Sequence, residues 1–193
     1  VLDIPLSLVS LAACLNAADD LVGTAKEETD KAVAEVDKLV ATAPHDPYFL
    51  ELKGQILLES GQPAAALGSL REALTRSNNS PLIASLFGHA LIATEDPVNF
   101  AEARGVLKVA VARDRENPFA WYQLGIIYDR EGDKPRAALA TAERYSLEAN
   151  PRLALASAEM ALHGIPEGSP DWLRAQDIAM VSRTAVQEQR KKR

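Results

Sequence analysis

The sequence predicts an all-α fold of about ten helices, arranged as antiparallel pairs. Three observations carry that expectation. The apolar 47% of the 193 residues comes mainly from Ala, Leu and Val, while aromatics are only 5%. That balance favours helices packed through small side chains over an aromatic-rich sheet. Glycines recur in register, with Gly54, Gly88 and Gly125 separated by 34 and 37 residues. An independent alanine series, Ala32, Ala66, Ala103 and Ala137, is spaced by 34, 37 and 34, with the same three-residue excess in the same place. Helices that cross closely need a small residue on each side of the contact. The two series therefore read as the first and second helices of a repeating hairpin, with Gly54, Gly88 and Gly125 against Ala66, Ala103 and Ala137.

Taken in order, residues 1–46 form an irregular N-terminal pair. Its first helix, near 6–22, lacks a phased glycine, and its second lies in "TDKAVAEVDKLVATAP". Three full repeats occupy 47–150, with helices expected at 47–60, 63–76, 81–94, 98–113, 118–131 and 134–148. Gly61 and Gly132 stand where a first helix ends in a left-handed residue, and Pro63 and Pro135 follow where the second begins. The three extra residues fall in "TEDPVNFAEA", which is longer than "ESGQPAAA" or "REGDKPRAA" at the same place. "APHDP", "NNSP", "ENP" and "ANP" separate the repeats as breaker and cap clusters. A third phased series, Leu39, Ala73 and Ala110, breaks at Arg144, so the last helix of the third repeat packs differently. Residues 151–193 supply capping helices at 152–163 and 170–190, the latter opened by Ser169 as N-cap, Pro170 and Asp171. The chain 1–193 reads as one solenoid domain.

Within "NPFAWYQLGIIYDREGD", Trp121, Leu124, Gly125 and Tyr128 match W-x-x-L-G-x-x-Y, and the chain here resembles the tetratricopeptide repeat. The resemblance implies a right-handed superhelix whose concave wall, lined by first helices, takes an extended peptide or a partner helix. Counting from the phased glycines, that wall receives Tyr48, Glu51, Gln55 and Leu58, then Ser85, His89 and Ile92, then Tyr122, Ile126 and Asp129. Two readings stay open: a free groove, or one in which some of these residues, Leu58 and Ile126 especially, lie under a terminal helix. The wall mixes acidic and apolar residues without a row of Lys, Arg or Asn, which argues against a chaperone carboxylate terminus and for an apolar or basic partner.

Net charge is −6 and the pI near 5.2, so no basic face is expected for nucleic acid. The tail Arg190, Lys191, Lys192 and Arg193 reads as dipole-complementing and solubilising. Cys14 is the single cysteine. "LAAC" has the form of a lipobox, but no basic residue precedes the apolar run and Asp3 and Pro5 interrupt it, which favours a cysteine in a packed helix. No run reaches the ~20 apolar residues of a transmembrane helix. His45, His89 and His163 fit no H-E-x-x-H, and no phosphate-binding glycine loop is present. The expectation is a chain without catalytic residues, metal or cofactor, and no feature fixes an oligomeric state.

"FLELKGQILLESG", "FGHALIATEDPVNFAEA", "AVARDRENPFAWYQLGIIYDREGD" and "GSPDWLRAQDIA" extend the likeness. From about Asp30 onward the chain resembles the C-terminal tetratricopeptide region of bacterial prenyl-protease-like (gluzincin) zinc metallopeptidases, the group that includes the beta-barrel assembly-enhancing protease. That resemblance implies a non-catalytic module in the periplasm that docks substrate or assembly machinery, the zinc being held by a separate H-E-x-x-H domain. The rival is a free-standing periplasmic or cytoplasmic adaptor with no peptidase connection.

Overall fold

The computed structural model describes Gly23 and residues 26–191. The helix expected near 6–22, with Cys14, lies outside the described residues. Among those described, every regular element is helical: α1 (26–42), α2 (Pro47–Glu59), α3 (Pro63–Arg76), α4 (Pro81–Ala93), α5 (Phe100–Arg113), α6 (Pro118–Arg130), α7 (Lys134–Leu147), α8 (Pro151–Leu162) and α9 (Pro170–Lys191), with a 3₁₀ turn at Pro97–Asn99 before α5.

Local chemistry accounts for the boundaries. Asp46, Asn117, Asp133 and Asn150 each accept a backbone N–H of the helix they open, with a proline in the first two positions. These caps satisfy donors that a helix start leaves unpaired. Ser169 does the same for α9 through Trp172 N–H at 3.2 Å. Gly61 and Gly132 adopt φ +76° and +81°, letting the next N–H turn back onto the helix: Gln62 to Leu57 O at 2.8 Å and Asp133 to Tyr128 O at 2.9 Å. In the middle repeat Glu95 takes that left-handed place at φ +55°. The 3₁₀ turn that follows absorbs the three extra residues.

The chain forms two compact units, Val1–Ala73 and Leu74–Arg193. In the first, Val36, Leu50, Leu57 and Leu70 are buried, and Lys53 pairs with Asp37 at 2.6 Å. In the second, successive helices pack in sequence order from α4 to α9, with α8 between α7 and α9. Its C-terminal core is mostly alanine, Ala138, Ala142, Ala154, Ala158 and Ala175 among them, with Ile165 and Ile178. Small side chains let three helices approach closely while each still buries a continuous apolar stripe.

The phased glycines behave as tight crossings in two cases of three. A Cβ on Gly88 would lie 2.5 Å from Leu107 Cγ, and one on Gly54 would lie 2.5 Å from Leu70 Cδ2. The side chain nearest each glycine is thus Leu70 or Leu107, one turn beyond the phased Ala66 and Ala103. Both alanines are fully buried, but the side chain covering the glycine comes one turn later, because Cβ vectors lean toward the helix N-terminus and residues four apart stack on one face. At Gly125 an added Cβ finds only ordinary contacts, 3.6 Å from Ala137 O, Ala140 Cβ and Thr141 Oγ1. Thr141 stands 34 residues after Leu107, which stands 37 after Leu70, so a threonine occupies the sealing position of the third repeat.

Candidate partner-binding cleft

The missing leucine leaves a cleft of 290 Å³ between α6 and α7, floored by Gly125, Ala137 and Thr141. Its α6 wall is Tyr122, Ile126 and Asp129, whose spacing of four and three residues puts them on one helix face. The Thr141 hydroxyl donates to Ala137 O at 2.8 Å, so the exchange of leucine for threonine brings no unmet polar group to the floor.

Arginines close both ends. Arg144, where the Leu39, Ala73 and Ala110 series breaks, lies with its guanidinium carbon 5.1 Å from the Tyr122 ring centroid and 4.3 Å from that of Tyr145. Glu148 stands 3.7 Å from its Nη1. At the other end Arg130 lies over the Phe100 ring at 5.5 Å and 3.5 Å from Glu95, and Asp129 accepts from Lys134 Nζ at 2.7 Å. The cleft thus offers an aromatic ring, an aliphatic side chain, a carboxylate and two guanidinium groups over a floor of small residues.

A sequence model of the tetratricopeptide repeat matches residues 15–81 and 99–154. The chain belongs to the tetratricopeptide repeat family. Among solved structures it is similar to MamA, one crystal structure sharing 23% identity over 86% of this chain and 93% of that one, with a TM-score of 0.61. MamA 41-end from Desulfovibrio magneticus RS-1 shares 16% over 90% and 96%, TM-score 0.59. The C-terminal part of a tetratricopeptide protein from Cytophaga hutchinsonii shares 16% over 86% and 75%, TM-score 0.50. At these identities the likeness is one of fold. Comparison with curated protein sequences gives no match. Tetratricopeptide arrays are typically non-catalytic and bind proteins, which makes this chain a protein–protein interaction module.

The predicted wall residues of this tetratricopeptide chain fare unequally. On α2 of the N-terminal unit, Tyr48 is 64% exposed and Gln55 is exposed with its amide donating to Glu59. Glu51 is half-buried, and that burial pushes its carboxyl above the ordinary range. Leu58 is half-buried. In the C-terminal unit Tyr122 is 45% exposed, Asp129 is exposed and Ile126 half-buried. His89 is half-buried with its ring edge-on to Phe119 at 5.6 Å, and desolvation holds its imidazole below 6.5.

Ser85 and Ile92 depart from the expectation. Both are buried, at 2% and 4% exposure, since α4 contacts α5 and α6 together and buries eight of its thirteen residues. The Ser85 hydroxyl donates to Pro81 O at 2.7 Å and accepts from Asn117, the α6 cap, at 3.3 Å. Thr141, Arg130, Arg144 and Phe119 were missed. The break at Arg144 and the Leu70, Leu107, Thr141 register were the available signals.

His45 and His163 are exposed, in a turn and at the end of α8. Among the described residues no group of three His, Cys, Asp or Glu is placed to hold a metal ion, and no helix is long and apolar enough to cross a membrane.

Proposed function

We propose that the α6/α7 cleft docks an extended segment of a partner protein, with Tyr122, Ile126 and Asp129 in contact and Arg144 closing the end. The observation that carries this reading is the cleft itself, in which Tyr122, Ile126 and Asp129 of α6 face Thr141 and Arg144 of α7. A cleft of 290 Å³ is below the roughly 300–1,000 Å³ of small-molecule sites and suits one or two side chains of a peptide. The Tyr122 ring is the natural anchor, since aromatic residues dominate binding energy at such surfaces. Tyr48, Glu51 and Gln55 are assigned a contact surface of the N-terminal unit, and His89 borders the contact on α4. No metal or cofactor enters this reading.

The finer reading is that the partner is a substrate or assembly component of an envelope zinc peptidase, and that the chain works in the periplasm as its docking module. It rests on the four phrases quoted above. A reading frame that runs upstream of Val1 into an H-E-x-x-H helix supports it; a frame that starts at or near Val1 leaves the free-standing adaptor, periplasmic or cytoplasmic, in its place.

The test of the cleft replaces Thr141 by Leu, restoring the seal of the other repeats, and Tyr122 by Ala. Affinity capture with quantitative mass spectrometry is run beside thermal melts. Partners retained by the wild type are expected to be lost from both variants, Tyr122→Ala weakening capture by about 1–3 kcal/mol, with melting temperatures near the wild-type value. Capture of the same partners by Thr141→Leu at unchanged stability removes the assignment.

A further inference from the structure

A second cavity, of 240 Å³, lies across α6 from the first, lined by the side chains that alternate with the docking wall. Its apolar part is Val111, Trp121, Leu124 and Leu139. Leu124 is 2% exposed, and the Trp121 indole is fixed by donating to Arg115 O at 2.9 Å. Four cations border it: Lys108, Arg115, Arg136 and Arg174.

Two of these are committed to the fold. Arg174 grips Glu143 through Nε at 2.5 Å and Nη2 at 2.6 Å, and the Glu143 side chain is only 3% exposed. Arg136 bonds Asp171 at 2.9 Å and Asp133 at 2.7 Å. These pairs fasten α9 to α7, and Arg136 Nη2 and Arg174 Nη1 take no part in them.

Lys108 and Arg115 differ. Both are exposed, and among the described residues neither side chain has a carboxylate partner, whereas Arg104, Arg130 and Arg144 each have one. With Asp133 on Arg136, three carboxylates stand against the four positive groups that line the pocket, which leaves Lys108 and Arg115 as its uncommitted cations, on a protein whose net charge is −6. Tyr128 also lines it, its phenol pushed above the ordinary range by burial.

We infer that this pocket takes an acidic side chain of a partner protein, an Asp or Glu presented beside an aliphatic or aromatic residue that packs on Trp121 and Leu124. The carboxylate lies between Lys108 and Arg115, where charge-assisted hydrogen bonds form without breaking an existing pair. The apolar wall supplies the adjacent contact. A polyanion is disfavoured, because the excess is local and the rest of the surface is acidic. A chain with this site and the α6/α7 cleft engages partners through two different faces of α6.

The experiment is selection of displayed random heptapeptides on the wild type and on Lys108→Ala/Arg115→Ala, followed by anisotropy with the selected peptide and its amide isostere (Asp to Asn, Glu to Gln). Wild type is expected to enrich Asp or Glu next to an apolar residue. Those peptides should bind the double variant, and their amide isosteres the wild type, at least about tenfold more weakly, with affinity falling as salt rises. Arg152→Ala, an exposed cation on α8, should bind as wild type does. Enrichment of the same peptides on the double variant overturns the inference. So does selection without acidic residues, or displacement of the peptide by inorganic phosphate at equal concentration, which would mark a small-anion site.

Discussion

The α4/α5 and α6/α7 crossings share a glycine in the same register of the first helix, and opposite it the second helix carries Leu107 and Ala110 in one case, Thr141 and Arg144 in the other. At α4/α5, Leu107 is fully buried over Gly88, and the face above the glycine is core. At α6/α7, a Cβ added to Gly125 would meet Ala137, Ala140 and Thr141 at an ordinary 3.6 Å, and beside it lies a cleft that Tyr122 and Arg144 border. The change from Leu107 and Ala110 to Thr141 and Arg144 accompanies the change from a sealed crossing to one bordered by a cleft. A glycine in a repeat signature is consequently ambiguous until the residue that covers it is known.

The largest test of this contrast truncates the seal. Leu107→Ala should cost about 2–5 kcal/mol, the range for deleting a buried leucine whose cavity cannot collapse, while Thr141→Ala changes stability by less than about 1 kcal/mol, since a floor open to solvent leaves no new void. Urea denaturation of both variants reads the difference, and equal losses would erase the distinction.

Adding a methyl to each glycine gives effects of opposite sign. Gly88→Ala forces a Cβ into Leu107 and should destabilise by about 1–3 kcal/mol. Gly125→Ala meets ordinary contacts and should stabilise by up to about 1 kcal/mol from helix propensity. Gly54→Ala should follow Gly88→Ala. The sequence reading expects a tight crossing at Gly125, and melting temperatures that fall together for all three alanine variants would restore it.

The smallest effect belongs to the closed side. Desolvation holds the His89 imidazole below 6.5, so the unfolded chain takes up a proton before the folded chain does. The stability contributed by the neutral ring is complete above 6.5 and declines as pH falls below it toward the folded value. The half-buried position keeps the decline modest. His89→Gln should remove this part of the pH slope in denaturation midpoints measured downward from neutrality, and a slope unchanged by the substitution counts against the burial of the ring at α4.

Most of the helix boundaries were legible in the sequence because caps and stops are local. Asp46, Asn117, Asp133 and Asn150 bond N–H groups two or three residues away, and Gly61 and Gly132 need only their own backbone freedom. The shared face of Tyr122, Ile126 and Asp129 was legible for the same reason, since helical periodicity alone puts them together. Ser85 and Ile92 obey that periodicity equally well. Their burial depends on α4 touching two other helices, and no spacing within α4 encodes that.

What the sequence determined by itself is the repeat: its length, its three-residue excess before α5, its caps and its family, all fixed by interactions that span a few residues. What only the tertiary structure decided is which glycines are covered. The covering residue sits on another helix, one turn beyond the phased alanine, and whether it is Leu107 or Thr141 matters only once α5 and α7 are laid against α4 and α6. The two arginines of the cleft came from the structure for the same reason, because Arg130 and Arg144 stand on different helices and meet one space only through the packing between them.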